Sequence, residues 1–313
     1  MPPSPARTRL SPRPAGLALM VPFVLLSLSH EALASPPLVV ASDGILCDLT
    51  RTLAADQARV VCLLPPGTDP HQYQLRPRDR QALSEAQLVL INGYGLSPAL
   101  LQVASRTPKV AVAELAVPAS PGRDPHVWHD PSNATAMLRV VDGRLAAVLP
   151  AAAQSGLKRR SAAARSVLED TGRWAAAQMA TVPEASRVLV TEHRAFASFA
   201  RRYDLRELPL LPSFTSGGQL RPSSLAAITK AIKASGTRQL FSESQPISKT
   251  LRRISRSSGI PVNPTPLVAD GLAPGRSTVQ TATGNVCTFV IGQGGRCDEA
   301  GAERLSQRWS AIP

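Results

Sequence analysis

At 313 residues the chain is long enough for two compact lobes with sizeable cores, and a hydrophobic content of 43% is that of a globular protein. Aromatics make up only 4%, so Leu, Val, Ile and Ala must build the core, and nothing in the composition suits a disordered or fibrous chain. The formal net charge of +13 would suit a nucleic-acid binder, but the Arg are spread along the chain and no basic run interleaved with aromatics occurs.

The first segment reads as an address rather than as structure. Arg7, Arg9 and Arg13 form a basic region, residues 15–28 are mostly apolar, and Ala32-Leu33-Ala34 offers small residues for cleavage after Ala34. This predicts a secretory signal over 1–34, since the apolar stretch falls short of the ~20 residues of a membrane span. An uncleaved anchor helix is the alternative. No Cys stands at the cleavage site to take a lipid, so a soluble, exported, periplasmic protein is expected, with no nucleic-acid partner. Cleavage would remove three Arg and Glu31 and lower the net charge to +11. The basic surface is then read as solvated and drawn to anionic lipid headgroups.

Leu38-Val39-Val40-Ala41 reads as a buried strand, and Asp43 caps a helix that places Ile45, Leu46, Leu49 and Leu53 on one face. A strand over 60–64 closes at Pro65-Pro66-Gly67, and a helix over 77–86 starts on Pro. Leu88-Val89-Leu90-Ile91 is a third strand ending in Asn92-Gly93, with another at 110–112. From residue 155 to about 180 an Ala- and Arg-rich stretch without Pro predicts one helix, roughly 38 Å long at about 1.5 Å per residue. Alternation then resumes, with strands at 188–190, 208–211 and 239–241 and helices over 196–203, 223–234 and 247–257.

The pattern predicts an α/β protein: two β/α lobes with parallel-type sheets joined by one long rigid helix. The expected divisions are 1–34 signal, 35–154 first lobe, 155–182 linking helix and 183–313 second lobe. The Gly-rich tail from 277 reads as a stapled loop followed by a helix from about Glu299. Cys47, Cys62, Cys287 and Cys297 allow three pairings. Closeness in sequence favours Cys47–Cys62 and Cys287–Cys297, and the absence of any C-x-x-C spacing argues against a cysteine metal site.

After the signal only four histidines remain: His71, His126, His129 and His193. Taken singly, each reads as a surface or satisfied core residue. Together they fall in three segments that read as loops or strand ends, where open α/β sheets bind ligands. That placement suggests one shared site, and neutral imidazole is the commonest metal ligand. Three imidazoles and a carboxylate would suit zinc, whereas magnesium and calcium want oxygen shells and manganese more carboxylate. Spacing alone leaves the carboxylate open between Asp270, in Val268-Ala269-Asp270-Gly271-Leu272, and Glu243, at the end of Phe241-Ser242-Glu243.

The motifs Pro-Pro-Gly-Thr-Asp-Pro-His at 65–71, Asn-Gly at 92–93, Asp-Pro-His-x-Trp-x-Asp-Pro at 124–131, Thr-x-His-x-Ala-Phe at 191–196, Phe-x-Glu at 241–243 and Asp-Gly-Leu at 270–272 together resemble the ZnuA/TroA-like solute-binding proteins of zinc and manganese ABC importers. The resemblance covers the chain after the signal to about Pro274. It implies a metal site in the cleft between the lobes, with His71 and His126 as first-lobe ligands and His193 and Asp270 as second-lobe ligands. His193 stands where manganese-type members often carry Glu, which implies Zn2+ as cargo and Mn2+ as the alternative. Glu243 and His129 are then residues behind the ligands or at the lip. His129 departs from the family, which usually has a Leu-like residue there, as do the short His-free stretch 115–123, Ser97 near the place of the family's usual acid, and the Cys-containing tail.

The resemblance further implies a linking helix that limits closure and a membrane permease as partner, with the carrier acting as a monomer and not as an enzyme. A zinc hydrolase would need an open coordination position and a base such as His129 or Glu243, and no His-Glu-x-x-His motif is present. A metal-holding surface adhesin is a third reading.

Overall fold

The computed structural model describes residues 1–6, 8–9, 11, 35–218 and 220–313, so the expected apolar stretch and cleavage site of the signal lie outside the described residues. Four short strands, β1 (Leu38–Ala41), β2 (Arg59–Cys62), β3 (Leu88–Ile91) and β4 (Lys109–Ala111), form a parallel sheet in the order β2-β1-β3-β4. The helices of this lobe are α1 (Gly44–Ala54), α2 (Pro77–Glu85), α3 (Pro98–Leu101), α4 (Val112–Ala116) and α5 (Pro131–Val148). β1 and β3 are buried at every position, as their unbroken apolar runs require of central parallel strands. The Asp43 side chain accepts from the Leu46 amide and starts α1, whose Leu46, Leu49 and Leu53 pack under the sheet.

The long helix α6 (Gln154–Met179) contributes to both cores. Leu157, Ala164 and Leu168 join the first, and Ala175 and Met179 the second. The second lobe contains β5 (Val188–Thr191), α7 (Ala197–Arg202), β6 (Arg206–Pro209), α8 (Pro222–Lys233) and α9 (Lys249–Ser258). Its regular sheet is the parallel pair β5-β6. The strand expected at 239–241 is reduced to one bridge between Leu240 and Val262, docked on β5 where the Phe241 amide donates to the Val190 carbonyl.

The tail departs most from expectation. Residues read as a Gly-rich loop form the helix α10 (Thr278–Gly292), and the expected terminal helix follows as α11 (Glu299–Ser310). β-branched and Gly residues give α10 little intrinsic helicity. A capping box of Ser277 and Gln280 starts it, and burial of Val279, Val286, Phe289 and Val290 holds it. Val279, Leu305 and Trp309 belong to the first core, so this segment, like α6, serves both lobes. Cys47 pairs with Cys62 and Cys287 with Cys297, at Cα separations of 5.7 and 5.3 Å. Among the described residues no helix is long and apolar enough to cross a membrane.

Candidate metal centre

Each of the first lobe's cluster histidines is oriented by an aspartate two residues before it. The Asp69 carboxylate accepts from the His71 amide at 2.9 Å, in the loop after β2. The fully buried Asp124 carboxylate accepts from the His126 amide at 2.9 Å and lies 3.1 Å from its Nδ1. Asn92, just beyond β3, donates to the Pro125 carbonyl at 2.9 Å and ties this segment to the sheet.

The second lobe uses distant partners. His193 follows β5, and Glu243, fifty residues on, accepts from the Glu192 and His193 amides and meets His193 Nδ1 at 2.5 Å. Glu192 returns the contact by accepting from the Glu243 amide. Asp270 sits in the loop before α10.

The four segments converge. One ligand-type atom from each of His71, His126, His193 and Asp270 lies within 4.8 Å of the others. The three imidazole centroids form a near-equilateral triangle with sides of 5.3, 5.3 and 5.7 Å. His71 Nε2 is 3.3 Å from His126 Nε2 and 3.3 Å from Asp270 Oδ1, which is 3.1 Å from His126 Nε2. His193 Nε2 is 3.8 Å from Asp270 Oδ2 and, although buried, has no hydrogen-bond partner among the described residues. Ligand atoms about 2.0–2.1 Å from a tetrahedral ion stand roughly 3.3 Å apart, so these spacings fit a small cation.

Electrostatics agree with the geometry. Burial opposes charge on His126, yet Asp124 and Asp270 raise it to about 9. Burial would raise Asp270, but hydrogen bonds from His126 and His71 hold it well below the usual carboxylate range. A proton held on His126 would balance the Asp270 carboxylate, and a cation entering the site would displace it. Burial pushes Glu243 up, and against the cost of its own burial His193 is raised by that carboxylate.

His129 does not join the cluster. Its Nε2 donates to the Ala269 carbonyl at 2.8 Å, and burial lowers it to about 4, keeping the ring neutral. Between the two carboxylates left open by spacing, Asp270 faces the imidazoles and Glu243 stands behind His193. A cleft cavity of about 730 Å³ opens beside the cluster, with Thr68, His193, Glu243 and Asp270 among its wall residues. Asp69, Asp124 and Asn92 stand within the sequence motifs, but motif membership alone gave none of them an individual role. The signal was present, since Asp two residues before His occurs in both first-lobe motifs.

Residues 39–290 match the family model described as zinc-uptake complex component A, periplasmic. The chain belongs to this family. Its members are metal-binding transport proteins rather than enzymes, and the match runs past Pro274 through most of α10. The chain is 26% identical over 231 residues to the manganese-binding lipoprotein MntA of Halalkalibacterium halodurans, covering 72% of this chain and 76% of MntA. It is 30% identical over 209 residues to the zinc-binding protein TroA of Treponema pallidum, covering 63% of this chain and 67% of TroA. The crystal structure of Fe(III)-bound YtgA from Chlamydia trachomatis shares the fold, with a TM-score of 0.77 and 24% identity over 83% of this chain and 99% of YtgA.

Proposed function

We propose that this chain is a periplasmic solute-binding protein that captures one Zn2+ through His71, His126, His193 and Asp270 and delivers it to the permease of an ABC importer. The observation that carries this reading is the convergence of three imidazoles and one carboxylate within 4.8 Å at the cleft. Four donors close a tetrahedral shell and leave no open position for hydrolytic water, as a carrier needs. An N3O donor set favours zinc over manganese, which takes more oxygen ligands.

Manganese is the second reading, because relatives named for manganese and zinc lie at similar distances. The carrier acts as a monomer after removal of residues 1–34, and the unit 155–182 restrains lobe closure. The deciding experiment is metal analysis of the untagged mature protein, followed by competitive titration with zinc and manganese. One zinc per chain, not displaced by excess manganese, supports the assignment. Preferential manganese retention overturns the specificity, and no stoichiometric metal after reconstitution overturns the carrier.

A further inference from the structure

His129 touches every segment that brings a candidate ligand to the cleft except the His71 loop. It lies three residues after His126, in the turn Val127–His129 that leads into α5. Its ring lies on Phe196, centroids 4.4 Å apart and planes tilted by 30°, and Phe196 stands three residues after His193. Its Nε2 donates at 2.8 Å to the carbonyl of Ala269, 140 positions away and directly before Asp270. Among the described residues that carbonyl has no other donor.

A carbonyl only accepts, so the ring must present Nε2–H, and its burial in neutral form keeps that tautomer in place. Neighbouring contacts reinforce the same junction. Ser198 on α7 lies 3.2 Å from the Asp124 carboxylate, and Arg202 lies 3.7 Å from Asp130.

We propose that His129 is a positioning residue that latches the second lobe's Asp270 loop to the first lobe and so slows release of the bound metal. This rests on the reading of the four-residue cluster as the metal site. A hydrogen bond held behind a metal ligand is typically worth 10–100-fold in affinity.

The test measures zinc dissociation by chelator competition in wild type, His129→Phe and His129→Gln, together with zinc stoichiometry and the melting temperature of the metal-free proteins. His129→Phe keeps the aromatic stack and removes the donor. It should release zinc roughly tenfold faster with one zinc still bound, and His129→Gln, whose amide can donate, should recover much of the loss. Well above pH 6.5, where His129 is neutral in the folded and unfolded chain, the rate should shift without a matching change in metal-free stability, a split that a purely structural role would not produce. An unchanged rate in folded His129→Phe overturns the latch while leaving the carrier reading intact. A fall in zinc stoichiometry also overturns it, by making His129 a ligand. A wild type that binds no zinc removes the carrier reading itself.

The outer face of the second lobe supports an independent inference. The apolar faces of α8 and α9 pack over β5 through Ile232, Leu251 and Ile254. Their outer faces carry Lys230, Lys233, Lys249, Arg252, Arg253 and Arg256, all exposed and, among the described residues, none in an ion pair. Neither helix contains an acid, and the only acid between Glu207 and Asp270 is Glu243, turned inward on His193. The exposed large apolar residues of the described chain, Met1, Leu101, Leu115 and Ile291, lie elsewhere, so this face offers no apolar anchor of the kind protein interfaces are built on.

We infer that the α8–α9 face is drawn to the anionic headgroups of a lipid bilayer, whose spread charge matches a spread cationic face. The test is flotation of the mature protein with phosphatidylglycerol-containing vesicles, with pure phosphatidylcholine vesicles as control, at low and high salt. Co-flotation only with the anionic vesicles, lost at high salt and in the triple variant R252E/R253E/R256E, supports it. Equal behaviour with both lipids, or binding retained by the triple variant, overturns it, as does binding to duplex DNA alone.

Discussion

The two lobes hold their candidate ligands in different ways. In the first, the orienting partner is two residues from the histidine: Asp69 for His71 and Asp124 for His126. In the second, Glu243 reaches His193 from fifty residues away, and the Asp270 loop is met by His129 from the other lobe. First-lobe geometry is therefore a property of short motifs that form with their loops. Second-lobe geometry exists only once β5, the 240–243 segment and the lobe junction have come together. Within the first lobe there is a further contrast, since His126 Nδ1 has a carboxylate behind it and the buried His71 Nδ1 has no partner among the described residues.

The sharpest way to break this comparison is to remove a ligand from each lobe. His126→Ala and His193→Ala should each lose more than about 100-fold in zinc affinity, beyond the range for residues behind the ligands. Competitive titration would show it, and an unchanged affinity in either variant would exclude that residue from the site.

The disulfides test whether the two ends of the chain are stabilised alike. Cys47–Cys62 closes 15 residues and Cys287–Cys297 closes 10, so loop entropy gives each about 3 kcal/mol. Paired Ser substitutions followed by urea unfolding should cost similar amounts. A much smaller loss at Cys287–Cys297 would mean that capping and burial alone hold α10.

Acid should act through the lobe junction. Burial lowers His129 to about 4, while in the unfolded chain it titrates near the ordinary histidine value of 6.5. Between those values the unfolded state binds a proton that the native state refuses, so this contribution is present above pH 6.5 and lost as pH falls towards 4. It amounts to about 3 kcal/mol. The stability of the metal-free wild type relative to His129→Phe should fall across that window, and a flat difference would show that His129 is not buried neutral.

The smallest expected effect concerns the carboxylates behind the ligands. Glu243→Gln and Asp124→Asn should each weaken zinc binding by about 10–100-fold without loss of stoichiometry, as titration would reveal. If local and distant orientation matter equally, the two losses should be similar. A large loss only for Glu243→Gln would mean that Asn92 and the Asp124 backbone contact suffice for His126.

Much of the fold was legible because its signals are local. Apolar runs of strand length marked β1 and β3, Asp43 marked α1, and freedom from Pro between 155 and 180 marked α6. The helix α5 escaped although Asp130-Pro131 is a helix start and Met137, Leu138, Val141 and Leu145 lie on its buried face. α10 was hidden more deeply, because Thr, Val and Gly argue against a helix until two cores are present to bury it. The scarcity of histidines and their place at strand ends pointed to one site, but spacing could not choose between Asp270 and Glu243.

By itself, then, the sequence determined the α/β alternation and the histidines in play and favoured one of three disulfide pairings, since propensity, periodicity and short loop closures act over a few residues. Asp270 as a ligand and Glu243 behind one were implied only by the resemblance of whole motifs, not by spacing, and tertiary structure alone decided that Glu243 stands behind His193 and that His129 bridges the lobes. Those contacts span 50 and 140 residues of chain, and burial at the lobe junction, which no local pattern encodes, selects which polar groups must find one another there.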